Sequence, residues 1–117
     1  MSQVRAKHIL LKSTRSRNPT DSYRNVRPRQ RPITRSFEEA MSGIVAIRQQ
    51  LERGAEFDEI ARNVSECRSA AKGGDLGYFS QGQMQKSFED ATFALAVGEL
   101  SQPVVSDSGV HLIMRTA

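Results

Sequence analysis

Apolar and polar positions alternate from Val4 to Lys12. Ala6, His8, Leu10 and Lys12 fall on one side and Lys7, Ile9 and Leu11 on the other, which predicts a strand apolar on both faces. The next stretch, TRSRNPTDSYRNVRPRQRPITR, holds three of the four prolines and has neither a helical nor a strand period. It reads as a long, irregular, exposed loop, a kind of segment that is usually functional or disordered. A helix follows, with Ser36 placed to cap its first turn and Glu39 three residues on in the capping-box pattern; Phe37, Ala40, Ile44, Ile47 and Leu51 form its packing face. Gly54 is placed to end it, and Phe57, Ile60, Ala61 and Val64 mark a second, shorter amphipathic helix leading to Cys67. The glycines of AAKGGDLGYFSQGQM predict a tight reversal around a short strand near Leu76 to Phe79. Ser87 with Asp90 repeats the capping pattern for a helix carrying Phe88, Ala91 and Leu95, with Gly98 placed to stop it. QPVVSDSGVHLIMRT then reads as two strands about a turn at Asp107, Ser108 and Gly109, with Pro103 suited to an edge or a strand start. Strand, helices, strand, helix, strand, strand is an α+β plan, a small sheet covered by helices.

With 117 residues the chain has room for one ordinary domain and not for two. No apolar run approaches the length of a membrane span, and residues 1–12 lack the pattern of a signal peptide, so the expectation is a soluble, intracellular, cytoplasmic protein; the arginine-rich loop could serve as a nuclear import signal. The lone Cys67 cannot form an internal disulfide or a multi-cysteine zinc cluster. The net charge of +4 is concentrated: Ser13 to Arg35 holds seven arginines and one acid, Asp21. That density points to an anionic partner at one place, whether a phosphate, an acidic peptide or nucleic acid.

The two histidines, His8 and His111, lie in predicted strands among apolar neighbours, which suits either hydrogen-bonded core residues or proton carriers. Cys67 reads as a small buried hydrophobe unless the first and last strands pair, in which case its thiol could meet His8 or His111 beside a cleft. Leu76, Met84 and Phe88 fit ordinary core or the walls of an apolar pocket. Lys12, Arg15 and Arg17 form a compact group of donors at the strand-to-loop junction, the kind of group that a doubly charged phosphate requires.

HILLK in the first strand, SECRSAAKGGDLGYFSQGQMQKSFEDATFAL in the middle and VVSDSGVHLIMRT at the end resemble the parvulin family of peptidyl-prolyl cis/trans isomerases over nearly the whole chain. The resemblance implies a four-stranded, mostly antiparallel sheet surrounded by about four helices in the order β-α-α-α-β-α-β-β, as one domain over residues 1–117 with a flexible arginine-rich loop at about 13–35. It implies that His8, Cys67, Ser108 and His111 form a central hydrogen-bonded cluster beneath the substrate. Leu76, Met84 and Phe88 match the residues that hold the proline ring, and Gln85 and Ser106 match polar positions at its rim. Lys12 and Arg17 match the basic loop of the subgroup directed to phosphorylated Ser/Thr-Pro, with Arg15 beside them. Asn18 stands where that subgroup often has a second consecutive arginine, and Pro19 to Arg35 is longer and richer in arginine than usual. The absence of tryptophan excludes a WW module from these 117 residues. The implied partners are proline-containing proteins and phosphoproteins, with no metal or organic cofactor; Pro103 at a predicted strand edge and the polar surface composition make a monomer the expectation. The implied chemistry is non-covalent twisting of the prolyl bond, with Cys67 as a polarisable, partly anionic neighbour of the carbonyl. Two other classes stay open: a phosphopeptide-binding adaptor without turnover, and a nucleic-acid binder using the basic loop.

Overall fold

The structure is a computed structural model and describes residues 2–23 and 32–117. The elements are β1 (Val4–Leu11), α1 (Phe37–Glu52), α2 (Phe57–Val64), a 3-10 turn (Arg68–Lys72), β2 (Asp75–Phe79), α3 (Lys86–Ala94), β3 (Val104–Ser106) and β4 (Gly109–Arg115). Four strands form one sheet in the order β2-β1-β4-β3, with every neighbouring pair antiparallel. Among the described residues the α+β plan therefore consists of three α-helices and one 3-10 turn around a four-stranded sheet. The first and last strands are its central pair, in the register Leu10 opposite His111 and His8 opposite Ile113.

Alternation in β1 and β4 feeds two separate apolar layers. Ile9, Leu11, Val110 and Leu112 pack against Ala40, Ile44 and Ile47 of α1 and Phe57 and Ala61 of α2. On the opposite face Val4, Ala6 and Ile113 pack with Phe79 and Phe88, so α3 covers that side. Each fully buried large side chain contributes about 1.5–3 kcal/mol relative to exposure, which makes these layers the main source of stability. Ser36 and Glu39 form the capping box of α1 through both reciprocal bonds, and Gly54 takes the left-handed conformation (φ +101°) just beyond the helix.

Three local features differ from the sequence reading. α3 starts at Lys86 with Gln85 at its N-cap, so Ser87 lies inside the helix; it ends at Ala94, before Gly98. The described part of the basic loop has no regular element, yet Ser13, Ser16, Asp21 and Ile33 are buried in it. Its base is closed by main-chain bonds: Thr14 N–H donates to Arg35 O (3.0 Å) and Ile33 N–H to Pro19 O (2.8 Å). The buried Glu66 carboxylate accepts from Lys12 N–H (2.8 Å) and from Arg35 Nη1 (2.5 Å), and Arg35 Nη1 also donates to Lys12 O. Arg24, Arg27, Arg29 and Arg31 lie outside the described residues.

Candidate active site

His8 projects from the β1 face that carries Ala6 and Leu10, and its main-chain N–H donates to Gly74 O (2.9 Å). That approach requires glycine: Gly74 has φ +89°, and a Cβ there would stand 2.3 Å from His8 O. His111, on the adjacent strand, lies diagonally across the same face. The two imidazoles meet nitrogen to nitrogen, with His8 Nδ1 2.9 Å from His111 Nδ1 and the rings stacked at 5.1 Å. The outer nitrogens complete a chain: His8 Nε2 is 3.1 Å from Ser69 Oγ and His111 Nε2 is 2.6 Å from Ser106 Oγ. One Nδ1 must donate and the other accept, which excludes two charged rings; with both rings neutral the chain has two tautomeric arrangements related by shifting each proton along it. Burial supports the neutral form, holding His8 down to about 4 and His111 well below its ordinary value, the latter also through repulsion from His8.

Phe88 of α3 closes this face, edge-on to both imidazoles with centroids 5.4 Å from His8 and 5.0 Å from His111. The loop before α3 is held by the buried Glu89 carboxylate, which accepts from Gly82 N–H (2.9 Å) and Met84 N–H (2.5 Å) and thereby sets the position of Met84. Those bonds hold the carboxyl below its ordinary value. Gln85 ties this loop to the β3–β4 turn, with its Nε2 donating to Ser108 Oγ (2.8 Å) and its Oε1 accepting from Asp107 N–H (2.9 Å). The result is an apolar-walled cavity of about 170 Å³ lined by His8, Cys67, Leu76, Met84, Gln85, Phe88, Ser106, Ser108 and His111. A cavity of roughly 150 Å³ accepts benzene, so this one accepts a single small ring.

A second cavity of about 180 Å³ shares Cys67 and Ser108 with the first and is lined further by Leu10, Lys12, Arg17, Asn18 and Ser22. Arg17 is exposed, and its main-chain N–H donates to Asp107 O (2.8 Å), which docks the basic loop on the β3–β4 turn. Arg15 stands apart, 5.6 Å over the ring of Phe37, beside a cavity that reaches Ser106. Lys12 is buried, and its Nζ donates to Asn18 O, Thr20 O and Ser22 Oγ. Burial lowers the Lys12 ammonium from its ordinary value, with Cys67, Glu66 and Asp21 acting in the opposite sense.

Residues 8–117 match the rotamase family, described as the PPIC-type PPIASE domain. The chain is 53% identical over 118 residues to the peptidyl-prolyl cis-trans isomerase pin1 of Rhizopus delemar, covering 100% of this chain and 75% of that one. It is 49% identical to the Arabidopsis thaliana peptidyl-prolyl cis-trans isomerase Pin1, covering 98% of this chain and 96% of that protein.

The chain belongs to the PPIC-type, or parvulin, family of peptidyl-prolyl isomerases.

The solved structure of the peptidyl-prolyl isomerase ESS1 from Candida albicans superposes with a TM-score of 0.87 at 39% identity, over 98% of this chain and 63% of that one. The parvulin fold is therefore common to both, and this protein is a peptidyl-prolyl cis/trans isomerase of the Pin1 type acting on proline-containing protein substrates.

Within this isomerase the structure brings all nine residues expected around the substrate proline to one cavity. Their bonding differs from the expected cluster in two ways. Ser106, expected at the rim, bonds His111 directly, whereas Ser108 reaches the chain only through its main-chain N–H, which donates to Ser106 Oγ (3.1 Å). Cys67 lines the cavity while the imidazole nitrogens bond one another and two serines. Ser69 and Glu89 were missed by the sequence reading. The only signal for Ser69 is its place two residues after Cys67, and Glu89 reads as an ordinary first-turn acid of α3.

Proposed function

We propose that this isomerase prefers Ser/Thr-Pro bonds whose Ser or Thr is phosphorylated, and that it twists the bond without covalent chemistry. The observation that carries this reading is the shared wall of the two cavities. The ring-sized cavity and the cavity lined by Lys12 and Arg17 meet at Cys67 and Ser108, which suits a phosphate on the residue next to the bound proline. The names of the relatives, Pin1 among them, agree with it.

Rotation about an X-Pro bond faces a barrier of about 18–20 kcal/mol from amide resonance, and no bond needs to form or break. In the proposed mechanism Leu76, Met84 and Phe88 grip the proline ring. Arg17, with the charge of Lys12 behind it, holds the phosphate, Arg15 adds positive charge from its place over Phe37, and the peptide bond between these anchors rotates. Cys67 presents a polarisable sulfur to the rotating carbonyl, with Ser108 and Gln85 beside it. The neutral chain Ser69–His8–His111–Ser106 fixes the floor under the bond without placing a full charge there. Each tenfold gain in rate needs only about 1.4 kcal/mol of added transition-state stabilisation, a scale that such positioning can reach.

Exchange spectroscopy on one proline peptide carrying Ser, Glu or phosphoserine before the proline tests the reading. The expected result is fastest catalysed cis/trans exchange for the phosphopeptide. Equal acceleration of all three peptides removes the phosphate preference, and binding without acceleration favours an adaptor.

A further inference from the structure

We propose that Gln85, on the proline side of the site, is a positioning residue for the phosphate side: it fixes the β3–β4 turn that aims Arg17, and so sets how strongly a phosphate before the proline is preferred. The inference deepens the proposed function and rests on it for the role of Arg17.

Ser106 faces Gly109 in the β3–β4 register, so Asp107 and Ser108 make the reversal, and the N–H and C=O of Asp107 lie outside the ladder and need other partners. Both find them beside the two cavities. Asp107 N–H donates to Gln85 Oε1 (2.9 Å), and Asp107 O accepts from Arg17 N–H (2.8 Å). Gln85 Nε2 donates to Ser108 Oγ (2.8 Å), so one side-chain amide holds both turn residues. A further tie, Ser108 N–H on Ser106 Oγ (3.1 Å), joins the turn to the serine that bonds His111. Asp107 is thus bonded on one side by the loop before α3 and on the other by the basic loop.

The place of Gln85 is itself set. It is the N-cap residue of α3 and follows Met84, whose N–H is held by the buried Glu89 carboxylate. Among the described residues, Arg17 N–H on Asp107 O is the one main-chain bond between the basic loop and this turn. Ser108 lines both cavities, and Arg17 lines the one suited to a phosphate. Without Gln85 the turn keeps its ladder but loses the two bonds that fix Asp107 and Ser108, and Arg17 follows the turn. Asp107 is exposed, and Gln85 and Ser108 are half-buried, so water replaces the lost partners. The loss therefore shows in the aim of Arg17 rather than in folding.

Gln85→Met keeps the length of the side chain and removes both bonds. Two quantities are read in Gln85→Met, Arg17→Ala and the double variant. One is the ratio of kcat/KM for a phosphoserine-proline peptide over its serine form. The other is amide hydrogen exchange at Arg17 in the free enzyme, a group whose own acceptor Gln85→Met leaves in place. The proposal predicts faster exchange at Arg17 and a ratio about three- to tenfold lower in Gln85→Met, the size of one or two hydrogen bonds, with urea unfolding near that of wild type. Added to Arg17→Ala, Gln85→Met should lower the ratio no further, since its effect runs through Arg17. A Gln85 that serves only the ring cavity lowers kcat/KM for both peptides by one factor, and that unchanged ratio would overturn the proposal. A ratio loss that multiplies with that of Arg17→Ala would overturn it as well, and so would a marked loss of stability, which makes Gln85 structural. A wild-type ratio near one would refute the phosphate preference instead. Arg17 exchange would then decide alone: quickened in Gln85→Met it supports the tie, and unchanged it overturns it.

Discussion

His8 and His111 share a single Nδ1-to-Nδ1 contact of 2.9 Å, made by residues from the two central strands. Such a contact requires at least one ring to be neutral, since two imidazolium rings would set donor against donor. Because burial holds His8 down to about 4 in the folded chain, the unfolded chain, with histidine near 6.5, binds more protons between these values. The contribution is fully present above pH 6.5 and is lost as pH falls toward 4. Urea unfolding at pH 7, 5.5 and 4 should show this loss, about 3 kcal/mol from His8 alone, with His111 adding in the same direction. His8→Gln should flatten that slope.

Phe88 is both a wall of the ring cavity and part of the apolar layer behind it, 6.1 Å from Phe79 between centroids. Phe88→Ala should cost about 3–5 kcal/mol in equilibrium unfolding. Met84 is only half-buried, so Met84→Ala should cost less stability while lowering kcat/KM for phosphorylated and unphosphorylated proline peptides alike. Unfolding and exchange measurements on the pair would separate core packing from grip on the ring.

Glu89 acts on the site through the loop it holds. Glu89→Ala removes the acceptor of Gly82 and Met84 N–H, so exchange of those two amides should quicken and KM should rise whatever precedes the proline. A KM increase confined to phosphopeptides would contradict this role.

The Arg35–Glu66 pair closes the base of the basic loop around a buried carboxylate. Arg35→Met removes the counter-charge of the buried Glu66 and leaves it the Lys12 N–H alone, a loss of about 1–3 kcal/mol. Thermal and urea unfolding should register the loss, and Arg35→Met combined with Glu66→Gln should recover part of it.

Much of this was legible because local patterns were strong. Alternation in β1 placed His8 beside Leu10 and Lys12, and Ser36 with Glu39 announced the start of α1, where the structure has both capping bonds. The start of α3 misled for a physical reason. Ser87 and Asp90 have the capping spacing, but the Glu89 carboxylate holds Met84 N–H and the chain enters the helix two residues earlier, at Gln85, whose amide is spent on Asp107 and Ser108. The contact between the histidines depends on the β1–β4 register across 103 residues of chain, which no local pattern encodes. Lys12 was legible as a cation next to a basic loop; that the loop wraps its ammonium could be seen only once carbonyls 18 and 20 had been placed.

The central claim is that one anchor grips the proline and another the phosphate, with the bond turning between them. Its most direct test is kcat/KM for matched phosphoserine-proline and serine-proline peptides with the wild-type enzyme and with Arg15→Ala/Arg17→Ala. The account predicts a clear wild-type preference for the phosphopeptide, with the ratio falling toward one in the double variant, a loss of about tenfold or more for charge-assisted contacts. A wild-type ratio near one, or a ratio untouched by loss of both arginines, would contradict it.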